Sequence, residues 1–97
     1  MQIATIGSNE SGHSTYPGRT TGVGSSNVFA AGRGVHRLGD SWGSHCNTVP
    51  PYDCHDGVTS GGSSNVFANG KSVARVGDSI GCGGNITTGI NSVRVGG

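Results

Sequence analysis

Apolar and polar residues alternate over short stretches of this chain, as is typical of β-strands. Residues 35–38 (Val-His-Arg-Leu) and 73–76 (Val-Ala-Arg-Val) follow this two-residue period. Residues 27–31 form a β-prone run before the first stretch, and Gly32-Arg33 separates the two. Asn69-Gly70 lies at the matching place further on, and Asn-Gly between β-prone runs is a strong hairpin signal. Since no helical periodicity of useful length is found, the pattern predicts an all-β chain of short hairpins joined by glycine-rich loops.

The hairpin pattern occurs twice because the chain repeats itself. The hexapeptide Ser-Ser-Asn-Val-Phe-Ala at residues 25–30 returns at residues 63–68. The register then holds without a gap as far as residues 43 and 81, at a constant offset of 38 residues. A fixed period of this kind indicates a repeat architecture.

The two chain ends resemble the halves of a third unit. Residues 89–97 resemble residues 62–70, and residues 3–8 resemble residues 73–78. If the end of the chain pairs with its start, the result is a closed object with three similar sides. Closure would also remove the free strand edges that invite aggregation.

Composition limits what this fold can bury. Only 31% of the 97 residues are hydrophobic and 20 are glycine, so we expect one domain over residues 1–97, without an extension, and a thin core. Small, apolar-poor chains usually need a metal, disulfides or a partner. The net charge of +1 gives no basic field for nucleic acid or an anionic membrane. No apolar run approaches membrane-spanning length and no signal-peptide pattern is present, so we expect synthesis in the cytoplasm.

The metal-ligating residue types lie at equivalent places in the units. His13 follows Gly7 by six residues, as His45 follows Gly39, and Cys82 comes five residues after Gly77. Three equivalent loops would each deliver one ligand to one end of the molecule. His55, from the long loop between the units, would supply a fourth. Three imidazoles and one thiolate suit tetrahedral zinc, with iron as the alternative.

Several of these residues could have other roles. Cys46 is adjacent to His45 and is an alternative ligand, although the matched spacing favours His45. Cys46 and Cys54 could instead form a disulfide that closes a short loop and leaves Cys82 free. We expect His36, inside a strand where the other unit has alanine, to face solvent.

Nothing in the pattern favours an enzyme. Neighbouring residues on an extended loop point apart, so Cys54 and His55 do not make a catalytic pair. We interpret the repeated Asp40 and Asp78 as turn residues that bind backbone N–H groups, with Arg37 and Arg75 as partners of little energetic weight if exposed. Four ligating side chains would also leave no open coordination position on a metal.

These residues together resemble the PAAR-repeat proteins. The similarity lies in a Asn-Val-Phe-x-x-Gly hairpin followed by Val-x-Arg-x-Gly-Asp, and it extends over essentially the whole chain. Of the Pro-Ala-Ala-Arg tetrapeptide that gives the family its name, residues 34–37 and 72–75 keep the arginine but not the proline. Further matching segments are Gly-Asp-Ser-Trp-x-x-His-Cys at residues 39–46 and Gly-Asp-x-x-x-Cys-Gly at residues 77–83.

The resemblance implies a small β-cone with a metal near its apex and no catalytic activity. Its base would bind the end of a trimeric β-helical spike, one copy per trimer, in a phage tail or a type VI secretion system. The tip would help to pierce a target cell envelope. The resemblance places the protein either at the tip of a virion tail or in the bacterial cytoplasm, from which type VI secretion would deliver it outside. A zinc-binding adaptor that recruits partners without piercing is the alternative function.

The apolar residues of the hairpins are the candidates for a contact with the spike. We expect some of them to fill the core and about half to remain available to a partner, since side chains alternate along a strand. The alternative is that all of them are core. The set comprises Val28, Phe29, Val66, Phe67, Val93 and Val95.

Overall fold

The computed structural model describes residues 1–96 and is all-β over that range. Its eight short strands pair antiparallel in four two-stranded sheets, β1 with β8, β2 with β3, β4 with β5, and β6 with β7. The strands are β1 (Gln2–Ile3), β2 (Phe29–Ala30), β3 (Arg33–Gly34), β4 (His45–Cys46), β5 (Cys54–His55), β6 (Phe67–Ala68), β7 (Lys71–Ser72) and β8 (Ile90–Arg94). The predicted all-β fold of short hairpins is therefore confirmed.

Both repeated hairpins turn through two residues with positive φ. Asn69 and Gly70 have φ of 54° and 77°, as a type I′ turn requires. In the first hairpin the turn is formed by Ala31 and Gly32, with φ of 51° and 76°. The turn therefore lies one residue earlier than the predicted Gly32-Arg33 step, because Ala31 takes the place of Asn69. Alanine in this conformation costs about 1–2 kcal/mol, which the glycine beside it avoids.

The chain ends form the third hairpin, as the sequence predicted. Gln2 of β1 lies opposite Arg94 of β8, just as Phe67 lies opposite Ser72 in the second unit. The Val95 amide also donates to the Met1 carbonyl at 2.7 Å. The third side of the molecule is thus built from residues that are furthest apart in the chain.

A closed ring of backbone hydrogen bonds joins the three sides. The Ala4 amide donates to the Ala74 carbonyl at 3.0 Å, the Ala74 amide to the His36 carbonyl at 2.9 Å, and the His36 amide to the Ala4 carbonyl at 3.0 Å. Each unit thus gives one donor and one acceptor, and the ring closes on itself. This is the pseudo-threefold closure that the repeat and the chain ends predicted.

Two small apolar clusters fill an elongated molecule of 41 × 23 × 22 Å. The first cluster contains hairpin and chain-end residues such as Ala30, Ala68 and Val95. The second contains Trp42, Ile80 and Ile86 and is joined by Cys82. The hairpins therefore lie beside the first cluster, whereas the predicted ligand Cys82 lies beside the second.

His36 is not on the surface, contrary to the prediction from strand alternation. Its side chain is fully buried, and its pseudo-symmetric counterparts Ala4 and Ala74 are buried too. The ring that joins the units buries both faces of these central segments, so alternation no longer separates core from solvent. Because the other two positions of the ring hold alanines, there is room for the one imidazole of His36 between the three units.

Hydrogen bonds satisfy the buried imidazole of His36. Nδ1 lies 2.7 Å from the Val23 carbonyl and Nε2 2.7 Å from the Thr59 hydroxyl. Because a carbonyl only accepts, Nδ1 carries the proton and the Thr59 hydroxyl donates to Nε2. The Thr59 oxygen in turn accepts a bond from the Trp42 indole at 2.8 Å. Burial lowers the pKa of His36, which keeps this ring neutral.

The repeated aspartates cap their turns as predicted. Asp40 accepts hydrogen bonds from the backbone amide and the guanidinium of Arg37, and Asp78 does the same with Arg75. Both aspartates are buried, and so is Arg75. These pairs therefore belong to the folded core, so that removing one partner would leave a buried charge without compensation.

Candidate metal centre

The structure brings the four predicted ligands into one group. One ligand atom from each of His13, His45, His55 and Cys82 lies within 4.8 Å of the others. His45 and His55 lie directly opposite each other in the β4–β5 pair. His13 comes from the loop after β1, and Cys82 from the loop before β8. The matched spacing of the units thus translates into proximity in the fold.

The three imidazoles point the same type of atom at a common centre. The Nε2–Nε2 distances are 3.2 Å from His13 to His45, 3.0 Å from His13 to His55, and 2.8 Å from His45 to His55. Ligands at about 2.0 Å from a tetrahedral zinc ion lie about 3.3 Å from one another. The observed triangle is therefore slightly contracted around the volume that such an ion would fill.

The tautomer of His45 suits metal binding. Its Nδ1 lies 2.8 Å from the Pro17 carbonyl, which only accepts hydrogen bonds, so Nδ1 carries the proton. Nε2 then presents its lone pair to the centre of the group. Hydrogen bonding of the second ring nitrogen to a carbonyl is the usual way in which a protein orients a metal-binding histidine. The donor set therefore fits a cation that accepts imidazole and thiolate ligands.

Cys46 lies outside the ligand group because it points the other way from His45. Neighbouring residues of a strand face opposite sides, and His45 is buried whereas Cys46 is exposed. Cys46 instead forms a disulfide with Cys54, directly across the β4–β5 pair. The disulfide and the ligand group, considered above as competing readings, occur together, and Cys82 is the free cysteine.

Tyr16 covers the imidazoles and was missed from the sequence. The centroid of its ring lies 4.9 Å from that of His13, 5.0 Å from that of His45 and 4.3 Å from that of His55. Its hydroxyl donates to the Asp53 carboxylate, which raises the pKa of Tyr16 and lowers that of Asp53. The available signal was the spacing of Tyr16 from His13, which lets the two backbones exchange hydrogen bonds across a tight turn.

The group of four side chains could hold a metal ion. Four ligands would complete a tetrahedral shell, as in structural zinc sites, whereas a catalytic zinc usually keeps one position for water. The ligands come from three separate segments of the chain, so a bound ion would act as a cross-link between them.

Among residues 1–96 there is no helix long and apolar enough to cross a membrane.

Comparison with known families gives one match. The PAAR motif family matches residues 11–97, which is nearly the whole chain. The search of curated proteins found no match to the chain. The match includes both repeated hairpins and all four residues of the ligand group, and it agrees with the closed three-sided fold. The chain therefore belongs to the PAAR-repeat family, whose members are structural parts of contractile tail or secretion machinery.

Proposed function

We propose that this protein is the tip of the central spike of a contractile injection machine. Its base would bind the end of a trimeric β-helical spike, and the end with the ligand group would meet the target cell envelope first. The observation that carries the proposal is the pseudo-threefold ring of hairpins, because it lets a single chain copy the symmetry of a trimer. Membership of the PAAR-repeat family supports a role of this type.

The exposed hairpin residues support this docking surface. Phe29 and Phe67 occupy equivalent positions and are 60% and 57% exposed, and Val28 and Val66 beside them are exposed as well. The alternative that all the apolar hairpin residues are core is therefore wrong. Val95 is the buried member of the set. Large exposed aromatic side chains are common anchors of protein interfaces.

The third hairpin gives the surface a different character on one side. Arg94 of β8 lies at the position that Phe29 and Phe67 hold in the other hairpins, as the strand registers show. Two sides of the base thus offer an aromatic ring and the third offers a guanidinium. A symmetric trimer end with three similar apolar patches would still accept this base once per trimer.

The metal would hold the other end of the molecule together. His13, the β4–β5 pair and Cys82 would be joined by one zinc ion, with iron as the alternative. The bound ion would supply coordination bonds to three imidazoles and to the Cys82 thiolate, which releases its proton on binding, and it needs no change of oxidation state in this role. Because the ion links segments that are distant in the chain, it would stiffen this end of the molecule beyond what the small apolar cluster of Trp42, Ile80 and Ile86 provides.

Mixing the protein with the trimeric spike of the same machine tests the proposal. Native mass spectrometry should give one copy per trimer. Phe29→Ser and Phe67→Ser should each weaken binding by about fivefold or more, since an interface anchor contributes more than about 1 kcal/mol. Tyr52→Ser is the matched control, because Tyr52 is also 60% exposed but lies in the loop between β4 and β5.

Three results would contradict the proposal. Three copies per trimer would show that the pseudo-threefold base does not match the partner's axis. Failure to bind any spike from the same source would favour the adaptor function instead. If Tyr52→Ser loses binding while the phenylalanine variants keep it, the docking surface lies near the β4–β5 loop and not at the repeated hairpins.

A further inference from the structure

A buried ion pair lies against the ligand group without belonging to it. The Glu10 carboxylate and the Arg19 guanidinium meet at 2.8 Å, and their side chains are 0% and 6% exposed. Burying two charges is expensive unless further hydrogen bonds satisfy them, and an apolar pair of equal volume is often as stable. Stability alone is therefore a weak reason for this pair at this place.

The contacts of Arg19 reach towards two of the metal ligands. Its Nη2 donates to the Cys82 sulfur at 3.1 Å, and its Nη1 donates to the Gly43 carbonyl at 2.6 Å, two residues before His45. Nε is the atom that binds Glu10. All three nitrogens of one guanidinium thus have partners, in the planar fork geometry that a lysine cannot reproduce.

Glu10 extends the same network to His13 and His45. Its Oε1 accepts a hydrogen bond from the Gly12 amide at 2.6 Å, directly before His13. Its Oε2 lies 3.7 Å from Nδ1 of His45. The carboxylate therefore fixes Arg19 on one side and the His13 loop on the other.

We propose that Arg19 is a positioning residue that sets the orientation and the donor strength of the Cys82 thiolate towards the metal. The inference rests on the metal role proposed above. A charge-assisted N–H···S bond holds the sulfur in place and withdraws electron density from it, so the thiolate binds its metal as a weaker donor in a fixed direction. Partners behind the ligands of metal sites commonly change metal affinity by about 10–100-fold.

Cobalt(II) in place of zinc provides a direct readout. A cysteine thiolate bound to cobalt gives a sulfur-to-metal charge-transfer band, whose energy falls when the sulfur loses a hydrogen bond. In Arg19→Lys we expect the ammonium to remain with Glu10 and to release Cys82. The band should then move to longer wavelength. Competition with a chelator should show about 10–100-fold weaker binding of cobalt and zinc, because the lost orientation of the sulfur outweighs its stronger donation.

Arg37→Lys is the matched control. Arg37 makes a similar fork to a buried carboxylate, with its Nε 2.8 Å from Asp40, but it does not contact the ligand group. The control should leave the band and the affinity unchanged. If Arg19→Lys does not fold, the double variant with Glu10→Gln and Arg19→Met removes both charges together and should shift the band in the same direction.

Three results would overturn the inference. An unchanged band in folded Arg19→Lys would show that the hydrogen bond to Cys82 does not act on the metal. If Arg19→Lys and Arg37→Lys lose metal affinity equally and neither variant shifts the charge-transfer band, then Arg19 contributes only to general stability. A wild-type protein that binds cobalt without a thiolate band would refute Cys82 as a ligand, and with it the role of Arg19. Failure to bind any metal is a separate outcome, which would refute the proposed metal centre.

Discussion

The stability of the folded protein should rise with the concentration of free zinc. A metal that binds the folded chain and not the unfolded chain stabilises it by RT ln(1 + [M]/Kd). The unfolded oxidised chain offers little competition, because Cys46 and Cys54 are joined and Cys82 is the free thiol. The four-residue group therefore exists only when the fold brings its members together.

The number of ions determines the size of this effect. One site per chain predicts about 1.4 kcal/mol for each tenfold rise in free zinc above Kd. For a domain of this length, 1 kcal/mol shifts the melting temperature by roughly 4–8 °C, so each tenfold rise should add roughly 6–11 °C. A second bound ion would double the slope, which makes the stoichiometry measurable from stability alone.

Thermal melts in zinc-buffered solutions provide the assay, and two histidine variants provide the comparison. His13→Ala should flatten the dependence on zinc, because the variant lacks one ligand. His36→Asn should lower the melting temperature, since His36 is buried, but it should keep the wild-type slope because His36 lies outside the ligand group. A melting temperature of the wild type that does not change with free zinc, or an equal slope in both variants, would refute the metal centre.

Three further predictions concern the buried histidine, the disulfide and a buried ion pair. The low pKa of His36 means that the unfolded chain takes up a proton below about pH 6.5 and the folded chain does not, so stability should fall by at most about 1.4 kcal/mol per pH unit from there downward. Denaturant titrations should show a smaller loss in His36→Asn, and an equal loss would contradict the assignment. Replacing Cys46 and Cys54 by serine should lower the unfolding free energy by about 2–3 kcal/mol, from the short loop they close, while elemental analysis still finds one metal per chain. Loss of the metal would instead make one of these cysteines a ligand. Asp78→Asn should destabilise by about 3–5 kcal/mol in denaturant melts, since it leaves the buried Arg75 without its charged partner, and a loss below about 1 kcal/mol would show that the pair is hydrated.

The ligand group was predictable from the sequence because a rotational repeat converts spacing into position. Residues at equal distances from equivalent glycines must end at equivalent places around the pseudo-threefold axis. His13 and His45 follow this rule, and Cys82 follows it to within one residue. His55 has no counterpart in the other units, but it lies opposite His45 in the β4–β5 pair and reaches the centre through that register.

The burial of His36 and the role of Arg19 were not predictable by the same logic. Strand alternation assumes that one face of a strand meets solvent, and the ring of hydrogen bonds through Ala4, His36 and Ala74 removes that face. Arg19 lies outside the repeated segments, and its contact with Cys82 joins residues that are 63 positions apart in the chain.

The same closure explains why the parts that escaped prediction lie close to the axis and the ligand group. A thin core leaves little apolar volume, so the interior of this fold is completed by polar groups that satisfy one another, including His36 with Thr59 and Glu10 with Arg19. Every buried side-chain nitrogen and oxygen among the described residues has a hydrogen-bond partner. A cluster of metal-ligating side chains at one end and a polar interior are thus two consequences of one constraint, which is a closed three-sided fold made from a chain with few apolar residues.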